Sequence, residues 1–143
     1  MREVSIDTES GASDLGCVWC DQRVQPWTGP RMWQGSVHAC RCGAQVLLAP
    51  PRDYDEAAEE LLGHLEIAGE VAEPADPVGQ SGMITARWYD GAASRRRLAQ
   101  LLTAAGHETR NEDAVLRLIS PDAPDRPWST TQALWWRPAR PQS

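Results

Sequence analysis

The chain lacks lysine and phenylalanine and contains a single asparagine, so its 14 basic residues are all arginine. These three missing or rare residues have A/T-rich codons, and their shortage is typical of a gene from a high-GC bacterium. The absence of lysine is therefore no evidence for a site that requires guanidinium groups. No apolar run approaches the roughly 20 residues of a membrane helix, and the N-terminus has no apolar signal segment. We expect a cytoplasmic protein without a membrane partner.

Charge is distributed unevenly along the 143 residues, whose net charge is −6. Residues 53–80 contain nine acidic residues and no basic one, whereas residues 23–52 contain four arginines and no acid. Clustered cations supply the affinity for phosphate, so the overall acidity argues against a general nucleic-acid binder. The basic segment keeps a local nucleic-acid contact open.

The four cysteines form two close pairs, Cys17-Val-Trp-Cys20 and Cys40-Arg-Cys42-Gly43, with 19 residues between the pairs. A C-x-x-C turn directs two thiolates to one point, and a second turn can complete a tetrahedral site. Gly43 suits the tight bend after the last ligand. The spacing predicts a structural Zn²⁺ site with all four cysteines as ligands. A redox C-x-x-C and an iron–sulfur centre are the alternatives.

The two cysteine pairs resemble the knuckles of a zinc ribbon over residues 15–50, and no family resemblance extends over the whole chain. Zinc ribbons occur in transcription factors, ribosomal proteins, tRNA-modifying enzymes and adaptor proteins. The resemblance implies strands around the knuckles and a rigid platform rather than a reaction centre. Trp19 and His38, which neighbour the cysteines in sequence, are candidates to support the ligands without binding the metal.

The remaining sequence predicts an α+β protein in which a helix links the ribbon to a small C-terminal β-α-β-β-β sandwich. The predicted parts are a flexible leader at 1–14, the ribbon at 15–50, a helix and acidic linker at 51–80, the sandwich at 81–138 and a tail at 139–143. The first helix is expected between Asp53 and Gly69 and the second from residue 92 to Gly106. Strands are expected at 32–39, 45–49, 83–89 and 131–137, with a hairpin that turns at 111–113.

The sequence favours binding over catalysis and leaves an enzymatic role open. It contains no Gly-rich phosphate loop, G-x-S-x-G, H-E-x-x-H or zinc-deaminase motif, and a zinc ion with four thiolates has no open position for water. We expect a protein–protein adaptor or accessory subunit that binds another protein or a second copy. A nucleic-acid-contacting factor is the first alternative, and a small enzyme with a structural zinc is the second.

Tryptophan and arginine are the residue types most suited to such contacts, because they combine stacking surface with charge. Adjacent strand residues point to opposite faces of a sheet. We therefore expect one of Trp135 and Trp136 to lie in the core of the C-terminal unit and the other to face solvent, the ribbon or a partner. The candidate contact residues are Trp27, Arg31, Trp33, Arg41, Arg95, Arg96, Arg97 and Trp136.

Overall fold

A computed structural model describes residues 2–7, 13–29, 35–71, 91–119 and 129–139. Its elements in chain order are β1 (Arg2–Asp7), β2 (Gln25–Pro26), β3 (Ser36–Ala39), β4 (Gln45–Ala49), α1 (Tyr54–His64), α2 (Gly91–Ala104), β5 (His107–Ile119) and β6 (Ser129–Pro138). A short 3-10 turn, Pro51–Asp53, joins β4 to α1. The mixed sheet and the helices agree with the predicted α+β class. Neither helix in these ranges has the length and apolar character needed to cross a membrane.

All six strands belong to one sheet in the order β1-β5-β6-β4-β3-β2. β1 runs parallel to β5, and every other neighbouring pair is antiparallel. β4 pairs with β6 from Gln45 opposite Trp136 to Ala49 opposite Gln132. The strands expected in the ribbon and those expected in the C-terminal unit therefore share one sheet.

The N-terminal residues and the segment after α2 also differ from the prediction. Arg2–Asp7 form an edge strand instead of a flexible leader, since Val4 and Ile6 are buried against the sheet. The expected hairpin at 111–113 is absent because β5 continues through it and pairs with β6 from His107 to Leu116. The predicted strand at 83–89 and the linker at 72–80 lie outside the described residues.

The two helices form where the apolar spacing predicts them. The predicted end of α2 is close to the observed one, whereas that of α1 is not. α1 stops at His64 rather than near Gly69, because Glu66 turns into the left-handed region with φ 57° and the Ile67 N–H bonds to the Leu62 carbonyl at 3.0 Å. α2 ends at Ala104, and Gly106 follows with φ 97°, as expected for a helix-terminating glycine.

The sheet separates two hydrophobic cores. α1 and α2 cover one face, and this helix-side core contains Val37, Leu47, Ala49, Tyr54, Ala57, Ala58, Leu61, Leu62, Val71, Leu98, Leu102, Leu134 and Trp136. The opposite face carries the cysteine-side core, which contains Val4, Ile6, Leu15, Cys17, Val24, Cys40, Ala44, Val46, Leu48, Ala114, Ala133 and Trp135. Neighbouring tryptophans of β6 thus point to opposite faces, as strand geometry requires, and both are buried.

Candidate metal centre

The first cysteine pair lies in a tight loop, which we call the first knuckle (residues 17–20). The Cys17 N–H bonds to the Gln22 carbonyl at 2.8 Å, and the Asp21 N–H bonds back to the Cys17 carbonyl at 2.9 Å. Asp21 accommodates this reversal with φ 62°. The Trp19 N–H points at the Cys17 sulfur at 3.5 Å, which is the backbone-to-sulfur contact expected of a metal-binding turn.

The second knuckle (residues 40–43) is the turn between β3 and β4. The Cys40 N–H bonds to the Ala44 carbonyl at 2.8 Å, and the Gly43 N–H bonds to the Cys40 carbonyl at 3.0 Å. Gly43 has φ 99°, and a Cβ atom there would meet nothing within 4 Å. The backbone conformation alone therefore requires glycine, as the sequence predicted.

The two knuckles bring the four cysteine sulfurs within 4.8 Å of one another. The sulfurs of Cys17 and Cys42 are 3.7 Å apart, and those of Cys20 and Cys40 are 3.3 Å apart. Zn–S bonds of about 2.3 Å in a tetrahedron place sulfurs about 3.8 Å from each other. All four cysteines are free thiols, so the cluster is compatible with a zinc-binding knot and can hold a metal ion.

Cys17 and Cys40 are buried and Cys42 is exposed, and the pKa values of these three thiols are shifted in different directions. Burial raises the pKa of Cys17, and it raises the pKa of Cys40 to about 12. Burial also opposes ionisation of Cys42, but hydrogen bonds from the Ala44 N–H and the neighbouring thiols outweigh it, so the pKa of Cys42 is lowered. A bound cation favours thiolates, and binding would therefore release protons from the buried pair.

Trp19 connects the first knuckle to the C-terminal strands. The guanidinium carbon of Arg137 lies 4.3 Å from the centre of the Trp19 ring, and that of Arg110 lies 5.5 Å from it. Arg110 also donates to the Val18 carbonyl at 2.9 Å, and Arg137 is paired with Glu108. The sequence analysis missed both arginines, because no local pattern links them to residues about 90 to 120 positions earlier.

His38 lies on the cysteine side of the sheet, where it stands opposite Val46 and two residues before Cys40. Only 3% of it is exposed, and burial lowers its pKa. Neither ring nitrogen has a hydrogen-bond partner within the described part of the chain. His38 thus lies on the same face of the sheet as the cysteine cluster without a hydrogen bond to a sulfur, and its expected support of the ligands stays a prediction.

The contact residues expected near the knuckles do not form one surface among the described residues. Arg41 is exposed beside Cys42, whereas Trp27 packs against the helix-side core with its ring 6.2 Å from that of His64. Arg31 and Trp33 lie outside the described residues.

The C-terminal contact candidates are partly used inside the fold. Trp136 is only 2% exposed in the helix-side core, so its expected role as a surface contact is wrong. Arg95 is also turned inward, and it donates to Asp113 at 2.6 Å and to the carbonyl of Ala133 at 3.4 Å. Arg97 bonds to the Glu70 carbonyl while remaining exposed, and Arg96 is exposed.

Comparison with known proteins adds no family to this geometry. No protein-family model matches the chain, and neither a curated protein nor a solved structure matches it. The assignment of the cysteine cluster as a candidate metal centre therefore rests on its own donor set and distances.

Proposed function

We propose that the chain binds one Zn²⁺ through Cys17, Cys20, Cys40 and Cys42, and that this ion is structural. The supporting observation is the approach of four thiol sulfurs to within 4.8 Å of one another. Four thiolates complete the tetrahedral shell of zinc and leave no position for a substrate or water. An iron–sulfur cluster needs space between its cysteines for several iron and sulfide atoms, which favours a single ion here.

The proposed biochemical role is that of a non-catalytic adaptor or accessory subunit that binds another protein. Within the described residues, the cysteine cluster is the only group of three or more side chains able to hold a metal, and its ligand shell is closed. Residues 53–71, which include α1, carry seven acidic side chains and no arginine, and such a surface repels phosphate. A protein partner is therefore favoured over nucleic acid, and a cytoplasmic location stays a prediction.

The nucleic-acid alternative depends on exposed cations near the knuckles. Arg23 and Arg41 are exposed there, but the ring of Trp19 is already flanked by two arginines of the same chain. Salt-dependent binding of a labelled oligonucleotide that is lost in Arg23→Glu/Arg41→Glu would support this alternative over the adaptor role.

Native mass spectrometry of protein purified without added metal tests the zinc proposal. We expect a mass increase that corresponds to one bound zinc ion, removal of the ion by a chelator and faster amide exchange in both knuckles afterwards. Cys17→Ser/Cys40→Ser provides the control that retains size and loses the ion. A metal-free wild-type protein with intramolecular disulfides would refute the proposal.

The adaptor proposal is tested separately by the mass of the zinc-loaded protein in solution. We expect a species heavier than the monomer, either a homo-oligomer at high concentration or a complex with a co-purifying protein that is identified by mass spectrometry. A zinc-loaded protein that stays monomeric up to millimolar concentration, without any co-purifying chain, would contradict this part.

A further inference from the structure

We infer that Arg110 and Arg137 are positioning residues for the metal centre, which set its metal affinity by holding Trp19 and the first knuckle in place. This inference rests on the proposed zinc site and concerns residues far from the cysteines in sequence. The geometry points to a clamp, by which we mean Trp19 together with these two arginines.

The clamp is formed by side chains from two neighbouring strands. On β5, Arg110 stands opposite Trp135 of β6, and Glu108 stands opposite Arg137. Because Trp135 lies in the cysteine-side core and side chains alternate along a strand, all of these residues point to the face that carries the knuckles. The ion pair with Glu108 fixes the guanidinium group of Arg137 over the Trp19 ring.

Arg110 contacts the first knuckle in two ways. Its guanidinium group approaches the Trp19 ring at 5.5 Å, and one of its N–H groups donates to the Val18 carbonyl at 2.9 Å. Val18 and Trp19 are the two residues between the first pair of ligands, so this bond and this stacking act directly on the backbone that aims Cys17 and Cys20. The Trp19 N–H in turn points at the Cys17 sulfur at 3.5 Å.

This arrangement can raise metal affinity because it fixes the ligands before the ion binds. Without the clamp, the first knuckle would keep its short local hydrogen bonds and the packing of Cys17 in the cysteine-side core, but it would lose its polar contacts with β5 and β6. Ordering it would then consume part of the binding free energy. Residues that contact ligands without binding the metal typically contribute about 10- to 100-fold in affinity.

The positive charge of the arginines is a second contribution to metal affinity, and a lysine variant distinguishes it from the stacking contribution. A zinc ion with four thiolates carries two net negative charges, and a nearby guanidinium group offsets them. Lysine keeps the positive charge but lacks the planar fork that stacks on tryptophan and donates to a carbonyl at the same time. The metal affinity of Arg110→Lys is therefore expected to lie between that of the wild type and that of Arg110→Gln.

The experiment uses Co²⁺ as the probe, because its visible spectrum reports tetrahedral thiolate ligation, and a competing chelator sets the free concentration. The full chain and its Arg110→Gln and Arg137→Gln variants are titrated below their melting temperatures. Each variant should bind Co²⁺ about 10-fold or more weakly than wild type. Arg96→Gln, the same change at an exposed helix position, serves as the matched control and should bind within about 2-fold of wild type.

Two further variants test the clamp itself. Combining Arg110→Gln with Trp19→Leu should weaken binding by less than the sum of the two single effects, since both changes remove the Arg110–Trp19 contact, and the additional loss beyond Trp19→Leu reports the Arg110–Val18 bond. Glu108→Gln, which leaves the clamp residues in place, should weaken binding only severalfold by releasing Arg137. Glu108→Gln is the milder change and provides the test if Arg110→Gln does not fold.

The outcomes distinguish this inference from the zinc proposal. If wild-type protein gives no tetrahedral thiolate spectrum with Co²⁺, the metal site itself fails. If wild type binds and the arginine variants bind as tightly as Arg96→Gln, the positioning role is refuted while the metal site stands. A lower free energy of unfolding with unchanged Co²⁺ affinity would assign the arginines to packing alone and would also overturn the inference.

Discussion

Replacing Trp136 with alanine tests whether this residue belongs to the helix-side core or to a surface. Trp136 is 2% exposed. A buried tryptophan removes about 150–250 Å² from water. At about 25 cal/mol per Å² this corresponds to about 4–6 kcal/mol, close to the roughly 3–5 kcal/mol typical of tryptophan-to-alanine changes in cores. Since domains are stable by about 5–15 kcal/mol, the variant should lose a large part of its stability.

The assay is urea unfolding of the zinc-saturated protein followed by far-UV circular dichroism, which does not depend on the fluorescence of the deleted residue. Trp27→Ala is the matched control, because Trp27 is only partly buried at the edge of the same core, and its loss should stay below about 2 kcal/mol. A loss below about 1 kcal/mol for Trp136→Ala would refute the packing argument and restore the surface role that the sequence suggested.

The remaining predictions concern three other positions. Arg95→Gln should lower the free energy of unfolding by about 1–2 kcal/mol, because it removes hydrogen bonds to backbone carbonyls and an ion pair with the half-exposed Asp113. Arg96→Gln is the control and should change the free energy of unfolding by less than about 0.5 kcal/mol, as measured by urea unfolding of both variants. Burial raises the pKa of Tyr54, so the unfolded chain loses the phenol proton first as the pH rises, and stability that is complete below about pH 10 falls above it. Tyr54→Phe should reduce this alkaline loss of stability in unfolding curves at pH 9–12. At pH 7 it should leave the free energy of unfolding unchanged, since the hydroxyl has no hydrogen-bond partner within the described residues. A decrease of more than about 1 kcal/mol at pH 7 would contradict this. Gly43→Ala should cost about 1–2 kcal/mol through its positive φ and weaken Co²⁺ binding accordingly, and unchanged binding would show that the second knuckle does not need this conformation.

Features determined by nearby residues were predictable from the sequence. The cysteine pairs and Gly43 form their turns through bonds within five residues, and the sulfurs converge as the spacing indicated. β4 and both helices also follow from local alternation or helical periodicity, and so does the last strand. The end of α1 was misplaced because Glu66, and not the expected Gly69, adopts the left-handed conformation that ends it.

Features that depend on distant pairing were not predictable. Val4 and Ile6 alternate as strand residues do, but the acidic N-terminal segment forms a strand only because β5 offers an edge more than 100 residues later. The polar stretch at 111–113 has the composition of a turn, and its pairing with β6 overrides that preference. Arg110 and Arg137 contact Trp19 only because β5 and β6 place them next to the first knuckle, and no local sequence pattern indicates this contact.

The two faces of the sheet are covered differently, with helices on one face and the cysteine centre on the other. α1 and α2 cover the helix side, but on the opposite face the described cover consists of the loop that contains Leu15 and Val24 together with the two knuckles. The proposed metal ion would join the first knuckle to the turn between β3 and β4 and strengthen this cover, because its binding free energy is available only when both turns are in place. Trp135 is fully buried beneath them and depends on that cover. The proposed ion would therefore stabilise the cover of this face of the sheet, and its removal should loosen any partner surface that the knuckles form.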